Sequence, residues 1–414
     1  MRSSNSFSGP GRLLRDADTP IILATGTAHL LNHAYLLLYP QFLLLLQQEF
    51  GIGLFALGQI ANLHYLAAGV GALPAGWLAH RIGPVATIRT FLFGSSAALI
   101  LVASVQGTLS LVLALATLGA FCSLYHPSGL ALLSLRSRRM GRALGLHGAI
   151  GNFGIAFTPL VAAGVAQVAG WRACCLLFAI PGVVVGWKWP ALPEGNRSAS
   201  PEPASENDPL PASRGAAQQN GPDSIHWRPL LFLYVAVALT GFVYKGFTTF
   251  LTVRFASGDG PGALGAAGAM ATFVLLVGVI GQYAGGNLSQ RLPPVPLFIT
   301  LIALSTPFLA LIGTGRHWAA GAAAGFALFH FAAQPVSNGY LARCVPARYR
   351  SLGYGLYFTL SFGVGSFATS AAGYLAEHQG IEAVFPFLAI VSAASVVAIA
   401  ASASRKLKRP PAPA

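Results

Sequence analysis

The sequence predicts an all-α integral membrane protein: twelve transmembrane helices in two pseudo-symmetric six-helix bundles. Three observations predict it. Apolar runs of about 20 residues recur along almost the whole chain, each long enough to cross a bilayer as a helix. Charge is scarce: 54% of the 414 residues are hydrophobic and 9% are charged, where a soluble domain carries about a quarter. The third is an internal repeat between the two halves. A helix bonds its own backbone, so helices are the elements that cross lipid. The 48 glycines suit helices that pack closely through small residues.

In chain order, residues 1–19 form a polar tail whose opening, MRSSNSFSGPGRLLRDAD, lacks the apolar centre of a secretory signal. Six spans follow within 20–189: 20–46, 55–79, 85–105, 108–133, 142–168 and 171–189. The first is long for one crossing and would tilt or end near Pro40. Residues 190–228, rich in Pro, Ser, Glu and Asn, read as a disordered linker. Six more spans occupy 229–403: 229–253, 262–285, 294–313, 317–342, 351–375 and 382–403, before a basic tail at 404–414.

With the N-terminus in the cytoplasm, 21 of the 25 Lys and Arg fall on the cytoplasmic side. Arg172, Arg254 and Arg316 fall on the other, and Lys245 lies inside the membrane. This bias places both termini in the cytoplasm and the protein in the cytoplasmic membrane. The net charge of +14 is thus a topology signal. Spread over alternate loops, it offers no continuous surface for nucleic acid.

The halves repeat. GWLAHRIGPV (76–85) and GNLSQRLPPV (286–295) agree at five of ten positions, and RALG (142–145) echoes RSLG (350–353). Both matches fall in equivalent places, which argues for duplicated halves. Repeats with a binding site between them are a common transporter plan.

Twelve spans, the 6+6 split and the loop Gly76-x-x-x-His80-Arg81-x-Gly83 resemble the major facilitator superfamily over nearly the whole chain. HLLNHAYLLLYPQFLLLLQQEFG (29–51), YHPSG (125–129) and GLHGAIGNFGIAFTP (145–159) are similar to the fosmidomycin-resistance group of bacterial exporters. The resemblance implies a secondary transporter that works by alternating access and exports its solute. It also implies a cavity lined by the first, fourth, seventh and tenth spans. The chain departs from the pattern in three places. The superfamily commonly has Asp at His80 and more basic residues at Pro84 and Val85, and the exporter group more usually has Glu at Ser128. An acid-based latch therefore cannot form in the loop of Gly76, His80, Arg81 and Gly83. Arg81, with its repeat counterpart Arg291, is left to meet a helix C-terminal dipole; a plain tight turn is the competing reading.

Lys245, in GFVYKGF (241–247), is the one charge in its span. All 11 acidic residues fall outside the membrane centre, and a mid-bilayer lysine costs about 2.5–3.5 kcal/mol. The missing counter-anion is then the substrate: a carboxylate, phosphate or phosphonate drawn to a buried cation. Two other readings stand beside it. Lys245 lies about 24 Å along the helix from the cytoplasmic end and could snorkel to the outer interface. It could also be neutral, held by Tyr244 or by carbonyls.

His33, Asn32, His126, His330, Gln334 and Asn338 complete the candidate substrate site with Lys245 and Tyr244. With no buried acid, His33, His126 or His330 would carry a coupled proton. If none does, the chain is a facilitator or an anion exchanger. Each histidine alone also reads as a satisfied structural residue, His64 and His147 among them. His29 and His33 share a helix face, but no acidic or Cys ligand completes a metal set.

Pro127 and Pro335 predict paired helix breaks in the fourth and tenth spans. Glycine stripes in the fifth and eleventh predict lateral packing between halves. Asn152 reads as a bond between helices, and Cys174–Cys175 as apolar filler. No phosphate-cradling loop and no Ser–His–Asp set can assemble, so no catalytic residue, cofactor or metal is expected. The expected partners are a small-molecule substrate, a proton or counter-ion and the lipid bilayer, with the chain a monomer. Two alternatives fit the same residues: efflux of a neutral or hydrophobic drug, and a non-transporting scaffold or sensor on a transporter fold.

Overall fold

A computed structural model describes residues 18–136, 140–189, 224–256, 262–346 and 349–403. The expected tails, apart from residues 18 and 19, and all but the end of the expected linker lie outside these residues. Every regular element is helical among the described residues. The order is α1 (Thr19–Leu38), a 3₁₀ turn (Tyr39–Phe42), α2 (Leu43–Phe50), α3 (Leu54–Val70), α4 (Ala72–Ile82), α5 (Pro84–Ser104), α6 (Thr108–Cys122), α7 (Tyr125–Arg136) and α8 (Met140–Trp187). The second half has α9 (Trp227–Phe255), α10 (Ala263–Leu288), α11 (Pro294–Leu311), α12 (Arg316–Cys344), α13 (Arg350–Phe358), a π-helical turn (Thr359–Val364), α14 (Gly365–His378) and α15 (Ile381–Ala403).

Nine helices among the described residues are long and apolar enough to cross a membrane. One of them, α8, is two passes joined at Gly170, whose φ of 82° only glycine adopts freely. The second and eleventh spans, α3–α4 and α13–α14, are each broken into shorter pieces. Taken together these are consistent with the twelve passes expected. The outward surface is apolar, with Leu109, Leu113, Ile280, Ile390 and Val397 exposed, while Asn32, His64, Lys245 and His330 are buried. Polar inside and apolar outside is the pattern that lipid demands.

Several expectations are corrected. The first span does not end at Pro40. The chain takes one 3₁₀ turn there and continues helical to Phe50, stopping at Gly51 with φ 62°. The fourth span breaks at Ser123–Leu124, ahead of Pro127, which sits in the first turn of α7 where a missing N–H costs little. The tenth span has no matching break, since α12 runs through Pro335 without interruption. The helix of the seventh span begins at Trp227 and so covers the last two residues of the expected linker. Glycines of the fifth span pack inside their own bundle: a Cβ at Gly154 would strike the Leu30 carbonyl, and one at Gly151 the His29 ring. Those of the eighth and eleventh do join the bundles, Gly268 lying on Pro159 and Gly373 on the Leu54 carbonyl.

The passes alternate, so residues such as Asp18, Ile82 and Ala403 share one end (the terminal end) and Gly51, Val105, Gly170 and His378 the other (the far end). The far end is tied across the bundles. Phe55 N–H donates to Glu377 at 2.8 Å, Gly265 N–H to Gln167 at 2.7 Å, and Thr252 Oγ1 to Gln41 at 2.6 Å. Farther in, Asn62 bonds Ser366 and Ser370, and Thr369 donates to the Gly58 carbonyl. One apolar core spans both bundles there, whereas Leu230, Leu233, Phe298, Ile302, Val336 and Leu341 belong to a separate core within the C-terminal bundle.

A charge-swapped symmetry marks the far end. In the first bundle Arg172, after the sixth pass begins, pairs with Glu49 at 2.6 Å and donates to the Val105 carbonyl at 2.9 Å. In the second, Arg254 ends the seventh pass, donates to the Ile312 carbonyl at 3.0 Å and pairs with Glu382 at 3.7 Å. Acid and base have exchanged helices between the repeats, while the carbonyl they frame is the equivalent one.

Candidate functional site

Lys245 is the centre of the site. It sits midway along α9 and is only 3% exposed, so it does not snorkel to an interface. Among the described residues no carboxylate pairs with it. Its ammonium lies 3.8 Å from the centre of the Tyr65 ring, 4.7 Å from Phe362 and 5.6 Å from Tyr244. A desolvated cation over an aromatic face gains about 2 kcal/mol, less than the several kcal/mol that leaving water costs an ion. The cage therefore offsets only part of what burial costs the charged form. Tyr65 comes from the second pass and Phe362 from the π-helical turn of the eleventh, so both bundles contribute.

Beside this cage the first, fourth and fifth passes bring four imidazoles together. Ring centres lie 4.5 Å apart for His29–His33, 5.2 Å for His29–His126, 5.5 Å for His33–His126 and 4.4 Å for His29–His147. The hydrogen bonds fix two of the tautomers. Tyr125 Oη donates to the Thr25 carbonyl at 2.5 Å, so it must accept from His147 Nε2, 2.8 Å away. The His147 carbonyl in turn can only accept from His29 Nδ1, at 3.3 Å. His29 Nε2 is thus a bare lone pair, buried and without a hydrogen-bond partner. An unmet buried acceptor costs about 1–3 kcal/mol. Asn32 Nδ2 lies 3.3 Å from His126 Nε2, which is long for a hydrogen bond.

The other candidates separate. His330 is buried against Phe326, ring centres 4.8 Å apart, away from the imidazole cluster. Gln334 faces Gln282, which also bonds Asn152 across the bundles, as expected of Asn152. The Asn338 carbonyl accepts from Tyr354 Oη. His64 Nδ1 donates to the Leu115 carbonyl at 2.8 Å, and its Nε2 is buried without a hydrogen-bond partner. His126 stacks on Phe358 of the other bundle at 5.5 Å and 10°.

The loop after α4 turns at Gly83, with φ 88° and ψ 152°, a conformation close to glycine-only. Arg81, in the last turn of α4, lies over the Trp77 ring at 4.9 Å. Gly76 faces open space and Arg291 is exposed, while the His80 side chain lies outside the described residues.

Sequence reasoning missed Tyr65, Phe362, Tyr125, His147 and the central part of His29. Tyr65 and Phe362 lie on passes outside the four expected to line the cavity. His147 reaches the cluster because α8 packs along α1; a Gly spacing of three or four around it (Gly145, Gly148, Gly151) was the available signal.

Two bundles of six passes around a buried cation and a polar cluster define a membrane transporter of small solutes. The chain matches the Major Facilitator Superfamily over residues 22–370 and belongs to that family. It is 24% identical over 256 residues to the "Probable L-galactonate transporter" of Escherichia coli (strain K12). That match covers 60% of this chain and 56% of the relative, so the chain spans little more than half the length of that protein. A bacterial homologue of the human lysosomal transporter Spinster, solved inward-facing and occupied, superposes with a TM-score of 0.71 at 14% identity, covering 96% of each chain. A POT family transporter in complex with 5-aminolevulinic acid superposes with a TM-score of 0.71 at 12% identity, covering 92% of this chain and 94% of that one. Family and fold are those of a transporter rather than an enzyme.

Proposed function

We propose that the protein is a secondary transporter of a small anionic organic solute across the cytoplasmic membrane, working by rocking of its two bundles. One observation carries this reading: a lysine 3% exposed, caged by aromatic faces from both bundles, with no carboxylate partner among the described residues. An ion so placed favours a ligand that brings the opposite charge. The Escherichia coli relative is named for L-galactonate, which is itself an anion. His33 and His126 lie next to the cage and are the groups proposed to carry a coupled proton. His330 serves the tenth-pass wall. Export is the direction that the 29–51, YHPSG and 145–159 segments imply. The bias of Lys and Arg supports cytoplasmic termini, and the two bundles are taken as 20–189 and 229–403.

The test is thermal stability of the purified protein against matched pairs, such as L-galactonate and neutral L-galactose. A ligand at about 100 times its dissociation constant adds roughly 2.7 kcal/mol. Stabilisation by acids alone, followed by their flux in proteoliposomes, is the expected result. Equal stabilisation by the neutral partner would instead favour a neutral-solute exporter. No ligand and no flux would leave the scaffold reading.

A further inference from the structure

The imidazole cluster has a geometry that an anion site does not require. His29, His33 and His126 each offer a ring nitrogen, and these atoms all lie within 4.8 Å of one another. The sequence pair at i and i+4 lacked a third ligand; the fold supplies it from the other side of the bundle. His29 is arranged as a ligand. Its Nδ1–H is held by the His147 carbonyl, and its Nε2 lone pair is buried with no partner. A ligand imidazole whose second nitrogen donates to a carbonyl is the usual outer-shell support of a metal site. The His147 ring backs it, nearly parallel at 14°, and Tyr125 fixes His147.

We propose that His29, His33 and His126 bind one divalent transition-metal ion, with a fourth coordination position open. Three neutral imidazoles suit Zn²⁺, Ni²⁺ or Cu²⁺ and disfavour Mg²⁺ and Ca²⁺, which take oxygen ligands. Metal–nitrogen bonds of about 2.0–2.1 Å in a tetrahedron place the nitrogens roughly 3.3 Å apart. His29 is fixed, so His33 and His126, both only partly buried, turn inward to close the gap. The long Asn32–His126 contact gives way. All three ligands belong to the first bundle, yet His126 leaves its stack on Phe358 of the second bundle when it ligates. Lys245 opposes a bare cation here and favours an anion at the fourth position. The proposal goes beyond the transport reading and stands without it, because it depends on three nitrogens and not on any solute.

The experiment uses the full chain in detergent, stripped with a chelator and titrated with ZnCl₂ by calorimetry, with CuCl₂ followed by electron paramagnetic resonance. We expect one Zn²⁺ per chain, and a Cu²⁺ spectrum with nitrogen couplings from three imidazoles. His33→Ala and His126→Ala should each weaken Zn²⁺ binding by at least about 100-fold, the loss of one of three ligands. His378→Ala, an exposed histidine at the far end, should not. Unchanged Zn²⁺ affinity in both cluster variants would overturn the proposal. The copper spectrum needs no variant, so a wild-type signal with fewer than three nitrogen couplings would overturn it even if both variants failed to fold.

Discussion

Lys245→Met keeps most of the side chain's length and removes its charge. Its effect on binding follows from Coulomb's law. An anion about 4 Å from the ammonium, at an effective dielectric constant near 20, gains about 4 kcal/mol, or roughly 10³-fold in affinity. Its effect on stability has the other sign. The variant loses cation–π contacts with Tyr65 at 3.8 Å and Phe362 at 4.7 Å, worth about 2 kcal/mol. It also escapes burial of an unpaired ion, which costs several kcal/mol. The empty protein should therefore be as stable as the wild type or more so. Calorimetric titration with L-galactonate, beside a thermal melt of each protein, separates the two effects. A folded Lys245→Met protein that binds the acid within tenfold of wild type would refute the reasoning. A large drop in melting temperature would show that Lys245 is structural.

Three further perturbations test the surrounding framework. Tyr125→Phe leaves His147 Nε2–H without its acceptor, while the Thr25 carbonyl keeps its bond within α1, and should cost about 1–3 kcal/mol for one unmet buried group, read by thermal unfolding. Gly83→Ala meets no atom within 4 Å but must adopt φ 88°, so it should destabilise by about 1–3 kcal/mol. Its control, Gly76→Ala, also meets open space inside α4 and should stabilise by up to about 1 kcal/mol. Gly58→Ala places a Cβ 2.2 Å from the Thr369 carbonyl; it should part the bundles at the far end, so that a cysteine label at Ser370 reacts faster with a water-soluble maleimide.

The architecture was legible because lipid is a strict solvent: apolar runs and one-sided charge leave little choice of fold. Helix interruptions were less so. Pro40 and Pro335 were both visible, yet the chain stays helical through each, with one 3₁₀ turn at Pro40 and none at Pro335. The breaks that do occur, at Gly71, at Ser123–Leu124 and in the Thr359–Val364 π-turn, follow no proline and depend on packing. Lys245 stood out as a solitary charge, whereas its cage did not, because Tyr65 and Phe362 resemble any other apolar residue of a span. The imidazole cluster shows the same limit. Spacing puts His29 beside His33, but only the packing of α7 and α8 on α1 brings His126 and His147 to them.

The irregular parts of the second and eleventh passes face each other. Gly69, just before the break in one, comes so close to Gly363 in the π-turn of the other that a Cβ would lie 2.6 Å from the Gly363 nitrogen. In the proposed rocking motion a turn of one bundle about that contact would be a lever with nearly equal arms: from Gly363 the pass runs 13 residues (363 − 350) to Arg350 and 15 (378 − 363) to His378, or about 20 Å and about 22 Å. A tilt of about 10° would then move either end by roughly 3.5–4 Å. The two openings would be displaced alike, while His126, which lies against Phe362 beside the pivot, would move little.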